Sequence, residues 1–176
     1  MPDSAKLTRA DIHRLFELLE AELAREKVAG EVYLVGGAVM CLALDARSAT
    51  RDVDAFFRPA RAIREAAARV AGRVGVRDDW LNDAVKAFLS PRGEFDAYFD
   101  REHLRVFVAR PEYLLAMKCV SMRLGEEFQD LEDVRFLLRY LDITTPGTAL
   151  DVIRRYFDDE HIPPKTRFAL EELLSR

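Results

Sequence analysis

The sequence predicts an α+β fold, with a small mixed sheet flanked by helices over residues 1–110 and a helical region over residues 111–176 packed on that core. Three observations predict it. Short apolar runs at Val32–Val35, Asp52–Phe57, Phe95–Phe99 and Leu104–Val108 have the length and alternation of strands. Segments with apolar residues at i, i+3, i+4 and i+7 alternate with them, and only such helical patterns follow Pro111. The 176 residues are 49% apolar and 33% charged, the profile of a globular chain able to bury a core.

The elements follow in order. Thr8-Arg9-Ala10-Asp11 resembles a capping box with Asp in place of Glu, and Ile12, Leu15, Phe16, Leu19 and Leu23 form the apolar stripe of a helix ending near Gly30. Val32–Val35 is too short to be a helix before Gly36-Gly37, so it reads as a buried strand. Ala38–Ala46 is a helix with Met40, Cys41 and Leu44 on one side, and Asp45–Thr50 is a polar connection. In the strand Asp52–Phe57, residues i and i+2 share a face. Asp52 and Asp54 therefore point one way with Phe56 beyond them, and Val53, Ala55 and Phe57 point the other. Pro59 suits the first turn of a helix that buries Ile63, Ala66, Ala67 and Val70 and stops around Gly72–Gly75. Its other side carries Arg58, Arg61, Arg64, Arg69 and Arg73, a solvated face by default or else a phosphate-facing surface.

Between Arg77 and Pro91, the residues Trp80, Leu81, Val85, Phe88 and Leu89 suggest a short helix, with Trp80 in the core. Asp100-Arg101-Glu102-His103 joins the last two strands as a hairpin connection. Pro111-Glu112 opens a helix over Tyr113–Leu124 closed by Gly125. The next helix, Asp130–Leu141, has Leu131, Val134, Leu137, Leu138 and Leu141 as its apolar set. Thr145-Pro146 and Pro163-Pro164 punctuate two more, Ala149–Phe157 and Lys165–Leu174.

Lys plus Arg is 27 against 31 for Asp plus Glu, a net charge of −4, so no global field attracts nucleic acid or an anionic membrane. Any polyanion would be gripped by a local basic patch. The two cysteines, Cys41 and Cys119, fall inside apolar helical patterns and read as small buried hydrophobes in a reduced cytoplasm. There is no Cys-x-x-Cys pair, and His13, His103 and His161 are scattered without ligand spacing. No apolar run approaches the ~18 residues of a membrane span, and the N-terminal residues are polar; the expected location is the cytoplasm.

Gly36-Gly37 stands between a strand and a helix, where glycine lets backbone N–H groups approach phosphate oxygens and the helix N-terminus favours negative charge. Asp52 and Asp54 on one strand face repel each other unless a cation lies between them. They supply hard oxygen ligands, and Mg2+ typically takes one or two carboxylates together with substrate phosphates. Two such ions roughly 3.5–4 Å apart would clamp the attacking and leaving oxygens of an in-line displacement.

Gly36-Gly37, a helix, then Arg51-Asp52-Val53-Asp54, with Arg47 and Thr50 ahead of the carboxylates, resembles the signature of the DNA polymerase beta-like nucleotidyltransferase superfamily. It is similar in particular to the bacterial minimal nucleotidyltransferases, including the toxins of type IV toxin–antitoxin (abortive infection) systems and uncharacterised relatives. Those relatives carry a downstream lysine helix and an aspartate helix, which Leu114-Leu115-Ala116-Met117-Lys118 and Asp130-Leu131-Glu132-Asp133 resemble. The resemblance extends over about residues 30–141. It implies a nucleotidyltransferase sheet, a nucleoside triphosphate cradled by Gly36 and Gly37 beside Thr50, and Mg2+ held by Asp52 and Asp54. Arg51 and Lys118 would offset phosphate charge, and Asp133 would orient Lys118 or serve near the acceptor. The acceptor hydroxyl would belong to RNA such as a tRNA 3′ end, to a protein or to a small molecule, and a cognate antitoxin or other protein would be a partner.

The residues themselves leave alternatives open. Lys118 and Asp133 each lie on or beside the apolar face of a helix, where an unpaired charge costs several kcal/mol, so a Lys118–Asp133 ion pair tying two helices together is the structural alternative. Active members of the superfamily usually add a third carboxylate on a neighbouring strand. The candidates here are Glu94, Asp96 and Asp100, with Asp96 the best placed unless alternation turns it outward. Without a third carboxylate, a non-catalytic binding or regulatory partner of the same fold is the alternative function. The blandest reading has Asp52 and Asp54 merely paired with Arg47, Arg51 or another arginine.

Overall fold

The computed structural model describes residues 5–122 and 129–175. The chain is a mixed α+β protein that divides into two compact units, Met1–Ala87 with Phe95–Ala109, and Phe88–Glu94 with Arg110–Arg176.

In the first unit β1 (Leu7–Thr8) leads into α1 (Arg9–Glu26). The capping box forms: the Asp11 N–H donates to Thr8 Oγ1 at 3.2 Å and the Thr8 N–H donates to Asp11 Oδ2 at 2.8 Å. Ile12, Leu15, Phe16, Leu19 and Leu23 are all buried, as the stripe requires. The helix stops at a left-handed Lys27 rather than near Gly30, which instead opens β2 (Gly30–Leu34). Then come α2 (Gly37–Leu42), β3 (Ala49–Thr50), β4 (Val53–Arg58), α3 (Ala60–Val74), β5 (Leu81–Asn82), β6 (Phe95–Asp100) and β7 (Leu104–Ala109).

The five-stranded sheet runs β5-β4-β2-β7-β6, and β1 and β3 form a separate antiparallel ribbon. β2 lies antiparallel to β4 and parallel to β7, β4 lies parallel to β5, and β6 and β7 form the expected antiparallel hairpin with an irregularity between Ala97 and Phe99. One face buries Val32, Leu34, Ala55, Phe57, Val106 and Phe99. Phe16 of α1 reaches Phe99, with ring centroids 5.9 Å apart, and α1 and α3 pack against each other over this face. The opposite face carries Tyr33, Phe56 and Phe107, with the Tyr33 and Phe107 rings stacked at 4.8 Å. The α3 positions Ile63, Ala66, Ala67 and Val70 are buried as expected, and the helix ends at a left-handed Gly75.

Two local expectations change. The helix read over Ala38–Ala46 is only Gly37–Leu42, because a left-handed Asp45 turns the chain toward β3. The stretch read as a short helix after Arg77 gives β5 and then a 3-10 turn over Ala84–Phe88, since pairing with β4 captures the backbone: the Val53 N–H donates to the Trp80 carbonyl at 2.7 Å. Trp80 itself is buried, with its indole N–H donating to the Ala67 carbonyl, whereas Phe88 is exposed.

The second unit contains α4 (Pro111–Val120), α5 (Asp130–Tyr140), α6 (Pro146–Arg154) and α7 (Pro164–Leu174), with α4 against α5 and α6, and α6 against α7. α4 ends at Val120, short of the expected Leu124, with the Ser121 N–H donating to the Met117 carbonyl at 3.0 Å; Leu124 and Gly125 themselves lie outside the described residues. Phe88–Glu94 is bound into this unit by the Ser90 N–H, which donates to the Tyr113 hydroxyl at 2.9 Å. On α5, Val134, Leu137 and Leu138 are buried, but Leu131 and Leu141 are partly exposed while Asp130 and Asp133 take inner positions. Both cysteines are buried free thiols, and burial pushes Cys119 up to about 12.

Candidate functional site

The turn after β2 brings four of the expected residues into one place. Gly36 has φ +69° and ψ −148°, a conformation essentially restricted to glycine. A Cβ on Gly36 would stand 3.1 Å from Asp54 Oδ2, and a Cβ on Gly37 would stand 2.9 Å from both Arg47 Nη1 and Thr50 Oγ1. The paired glycines therefore let a carboxylate, a guanidinium and a hydroxyl pack closely against the turn. β2 and β4 fix the carboxylate side of this arrangement, with the Val35 N–H donating to the Asp54 carbonyl at 3.0 Å. Thr50 is held by the β1–β3 ribbon opposite Leu7, and its hydroxyl donates to the Asp52 carbonyl at 3.2 Å. Arg47, marked by its spacing ahead of the carboxylates and as a candidate partner for them, joins the site. Since α2 has only six residues, its dipole is small, and the anion-binding capacity rests on the glycine backbone, Arg47 and Thr50.

Asp52 precedes β4 instead of lying within it, and Asp54 sits on the strand, on the face that carries Phe56 and Tyr33. The Asp52 carboxyl is pushed above the usual carboxylate range, first by burial and then by the charges of Asp54 and Asp79, against an opposing pull from Arg77 and Arg51. Its carboxylate makes no hydrogen bond or ion pair among the described residues. A carboxylate in that state, beside a second one, is a ligand set matched to a hard divalent cation, and Mg2+ fits the donors present. Arg51 is exposed and belongs to the wall of a neighbouring pocket.

Of the carboxylates put forward as a third member, neither Asp96 nor Asp100 joins Asp54 on its sheet face. Glu94 belongs to the second unit, accepting from the Tyr156 hydroxyl at 2.8 Å and from Arg110 at 3.1 Å. Asp96 pairs with Val108, in the row of Leu34 and Ala55, so the pleat turns it to the face opposite Asp54. Asp100 lies in register with Arg105, in the row of Glu31 and Arg58, at the other end of β2 from the glycine turn. The residue directly beside Asp54 on the neighbouring strand is Asn82. The acidic group whose charge does reach Asp52 is Asp79, and Arg77 grips it through two hydrogen bonds of 2.8 and 2.5 Å. The sequence signal for both was Asp79-Trp80-Leu81-Asn82, too short to show strand periodicity.

Lys118 and Asp133 meet in the second unit. Lys118 Nζ lies 2.7 Å from Asp133 and 3.4 Å from Asp130, and all three side chains are almost fully buried. The contact ties α4 to α5 and is the one expected both of a structural ion pair and of an Asp133 that orients Lys118, enlarged by Asp130. The α3 arginines also have protein partners: Arg61 with Glu65, Arg64 with Asp83, Arg69 with Glu22 and Glu26, and Arg73 with Glu22. They form a solvated, ion-paired face. His13 bonds the Tyr98 hydroxyl and His103 bonds Glu20. His161 groups with Asp158 and Glu160, their ligand atoms within 4.8 Å of one another, but all three are exposed and Arg92 already holds Asp158 at 3.0 Å. No helix among the described residues is long and apolar enough to cross a membrane. Comparison of the chain with family models, with curated proteins and with solved structures finds no match.

Proposed function

We propose that the protein is a magnesium-dependent nucleotidyltransferase of the DNA polymerase beta-like kind, transferring a nucleoside monophosphate from a nucleoside triphosphate to a hydroxyl. One observation carries the reading: the missing side chains of Gly36 and Gly37 let Asp54, Arg47 and Thr50 converge on the turn after β2, next to an Asp52 whose carboxylate makes no hydrogen bond or ion pair among the described residues. In this reading Asp52 and Asp54 hold Mg2+, which when bound neutralises the phosphates and polarises the phosphorus to be attacked. The glycine N–H groups, Arg47 and Thr50 grip the triphosphate and orient it. The acceptor hydroxyl oxygen bonds to the α-phosphorus as the bond to the bridging oxygen breaks; the hydroxyl proton passes to solvent and pyrophosphate leaves.

Asn82 beside Asp54 favours a second reading, in which the same site binds a nucleotide without turnover and the protein acts as a binding or regulatory partner. Thermal unfolding with each triphosphate, with and without Mg2+, tests the site. Ligand at a hundredfold excess over its Kd stabilises by about 2.7 kcal/mol. The expected result is a Mg2+-dependent rise that Asp54→Asn abolishes; no rise with any triphosphate would sink both readings. Incubation with labelled triphosphates and total RNA or protein then separates them. Label in an acceptor supports transfer and identifies the acceptor class, whereas binding without transfer favours the regulatory partner.

A further inference from the structure

A concavity of about 470 Å³ lies within the first unit, formed by the start of α1, the end of α3 and the segments around Arg51 and Arg77. Its volume falls in the range of small-molecule sites, roughly 300–1,000 Å³. Leu15, Leu18, Val74 and Val76 make its wall largely apolar, and Lys6, Arg14, Arg51 and Arg77 bring cationic groups to it.

Three of these four cations differ from the arginines of α3 in their contacts. The arginines of α3 are tied to glutamate or aspartate, and Arg77 is likewise gripped by Asp79. The head groups of Lys6, Arg14 and Arg51 make no hydrogen bond or ion pair among the described residues. The carboxylate on the wall, Asp11, accepts from the N–H and hydroxyl of Thr8 in the capping box and feels the charge of Arg14 without an ion pair to it. A protein of net charge −4 thus gathers three cationic head groups without a hydrogen bond or ion pair among the described residues around an apolar-walled concavity, where a low-dielectric wall focuses their field.

We propose that this pocket is a second ligand site that takes a phosphate ester of nucleotide size without the help of a metal. Guanidinium groups bind phosphate oxygens in a forked geometry, Lys6 adds a point charge, and the apolar wall accommodates the organic part of the ester. Arg51 joins this pocket to the segment that carries Asp52, yet the proposal does not depend on turnover at Asp52 and Asp54. A free nucleotide and the 5′ end of a nucleic acid offer the same chemistry, and the test tells them apart.

Trp80, the chain's single tryptophan, lies on the pocket wall and supplies the signal. The full chain in EDTA is titrated with AMP, with ribose 5-phosphate and with a 5′-phosphorylated RNA oligonucleotide, following fluorescence and heat. The expected result is saturable binding of at least one probe, weakened roughly tenfold or more by Arg14→Gln. Asp54→Asn should leave it unchanged. Arg14 is exposed on α1, so a melt of Arg14→Gln matching the wild type excludes misfolding as the cause. Comparable affinity for AMP and the oligonucleotide identifies a free nucleotide as the occupant, and much tighter oligonucleotide binding identifies a nucleic-acid end. The proposal is overturned if no probe binds in either readout, if Arg14→Gln binds as well as wild type, or if binding requires Mg2+ and is lost in Asp54→Asn.

Discussion

Gly36 combines two constraints that are usually separate. Its backbone, at φ +69° and ψ −148°, lies where any side chain is strained, and the space a Cβ would fill is bounded by Asp54 Oδ2 at 3.1 Å. Gly75 offers a control, since its φ of +77° with ψ 26° is ordinary left-handed backbone and nothing lies within 4 Å of its missing Cβ. Gly36→Ala should therefore destabilise by about 1–3 kcal/mol. It should also remove the Mg2+-triphosphate stabilisation, because the displaced carboxylate is the proposed metal ligand. Gly75→Ala should cost about 1 kcal/mol and leave the ligand response intact. Denaturant unfolding of both variants, with and without ligand, measures the difference; equal losses and equal ligand responses would refute the coupling between Gly36 and Asp54.

Helices α4 and α5 are joined by charge as well as by packing. Lys118 approaches Asp133 at 2.7 Å and Asp130 at 3.4 Å in nearly solvent-free surroundings. Lys118→Met removes the cation that both carboxylates approach, and breaking a buried pair from one side costs about 3–5 kcal/mol. Adding Asp133→Leu to that variant should recover part of the loss, giving a coupling of 0.5 kcal/mol or more in a double-mutant cycle. Strict additivity would rule out the helix-tying role. These helices also mark what was legible in the sequence. The apolar stripes of α1 and α3 identified their inner faces position by position, since apolar area at helical spacing has only one place to go. On α5 the stripe misplaced Leu131 and Leu141, because Asp130 and Asp133 are buried by a partner on another helix, and apolar spacing carries no record of such pairing. β5 was missed for a related reason: two residues held by backbone pairing to β4 have no periodicity to read. At the site, the glycines and Asp54 were visible as types and spacing. Asp79 beside Asp52 and Asn82 beside Asp54 are consequences of that unread strand.

Across the whole molecule, acidic and basic groups are mostly matched, and the matching sets how stability responds to pH. Burial pushes Glu22 up, but the Arg69 hydrogen bond and the charges of Arg25, Arg73 and Arg69 outweigh it and hold the carboxyl below its ordinary range. The Arg58 hydrogen bond does the same for Glu31, and Lys86 for Asp83. Each of these binds its proton less tightly folded than unfolded, so its contribution is present above the unfolded carboxylate pKa of about 4 and is lost as pH falls below it. Asp52 runs the other way. It is pushed up by burial and by its acidic neighbours, so the folded state binds its proton more tightly, and stability is lost as pH rises through its folded pKa. At pH 7 without metal, the ionised Asp52 is therefore a standing penalty of the kind that functional sites carry. Asp52→Asn should raise the Tm at pH 7 in EDTA, and the gain should shrink as pH is lowered through the raised folded pKa of Asp52. Excess Mg2+ should stabilise the wild type and not the variant. Thermal melts over pH 4–7, with EDTA and with Mg2+, measure all three effects. A variant less stable than wild type at pH 7 in EDTA, or one whose gain stays constant with pH, would contradict the view that Asp52 is held charged for a ligand outside the chain.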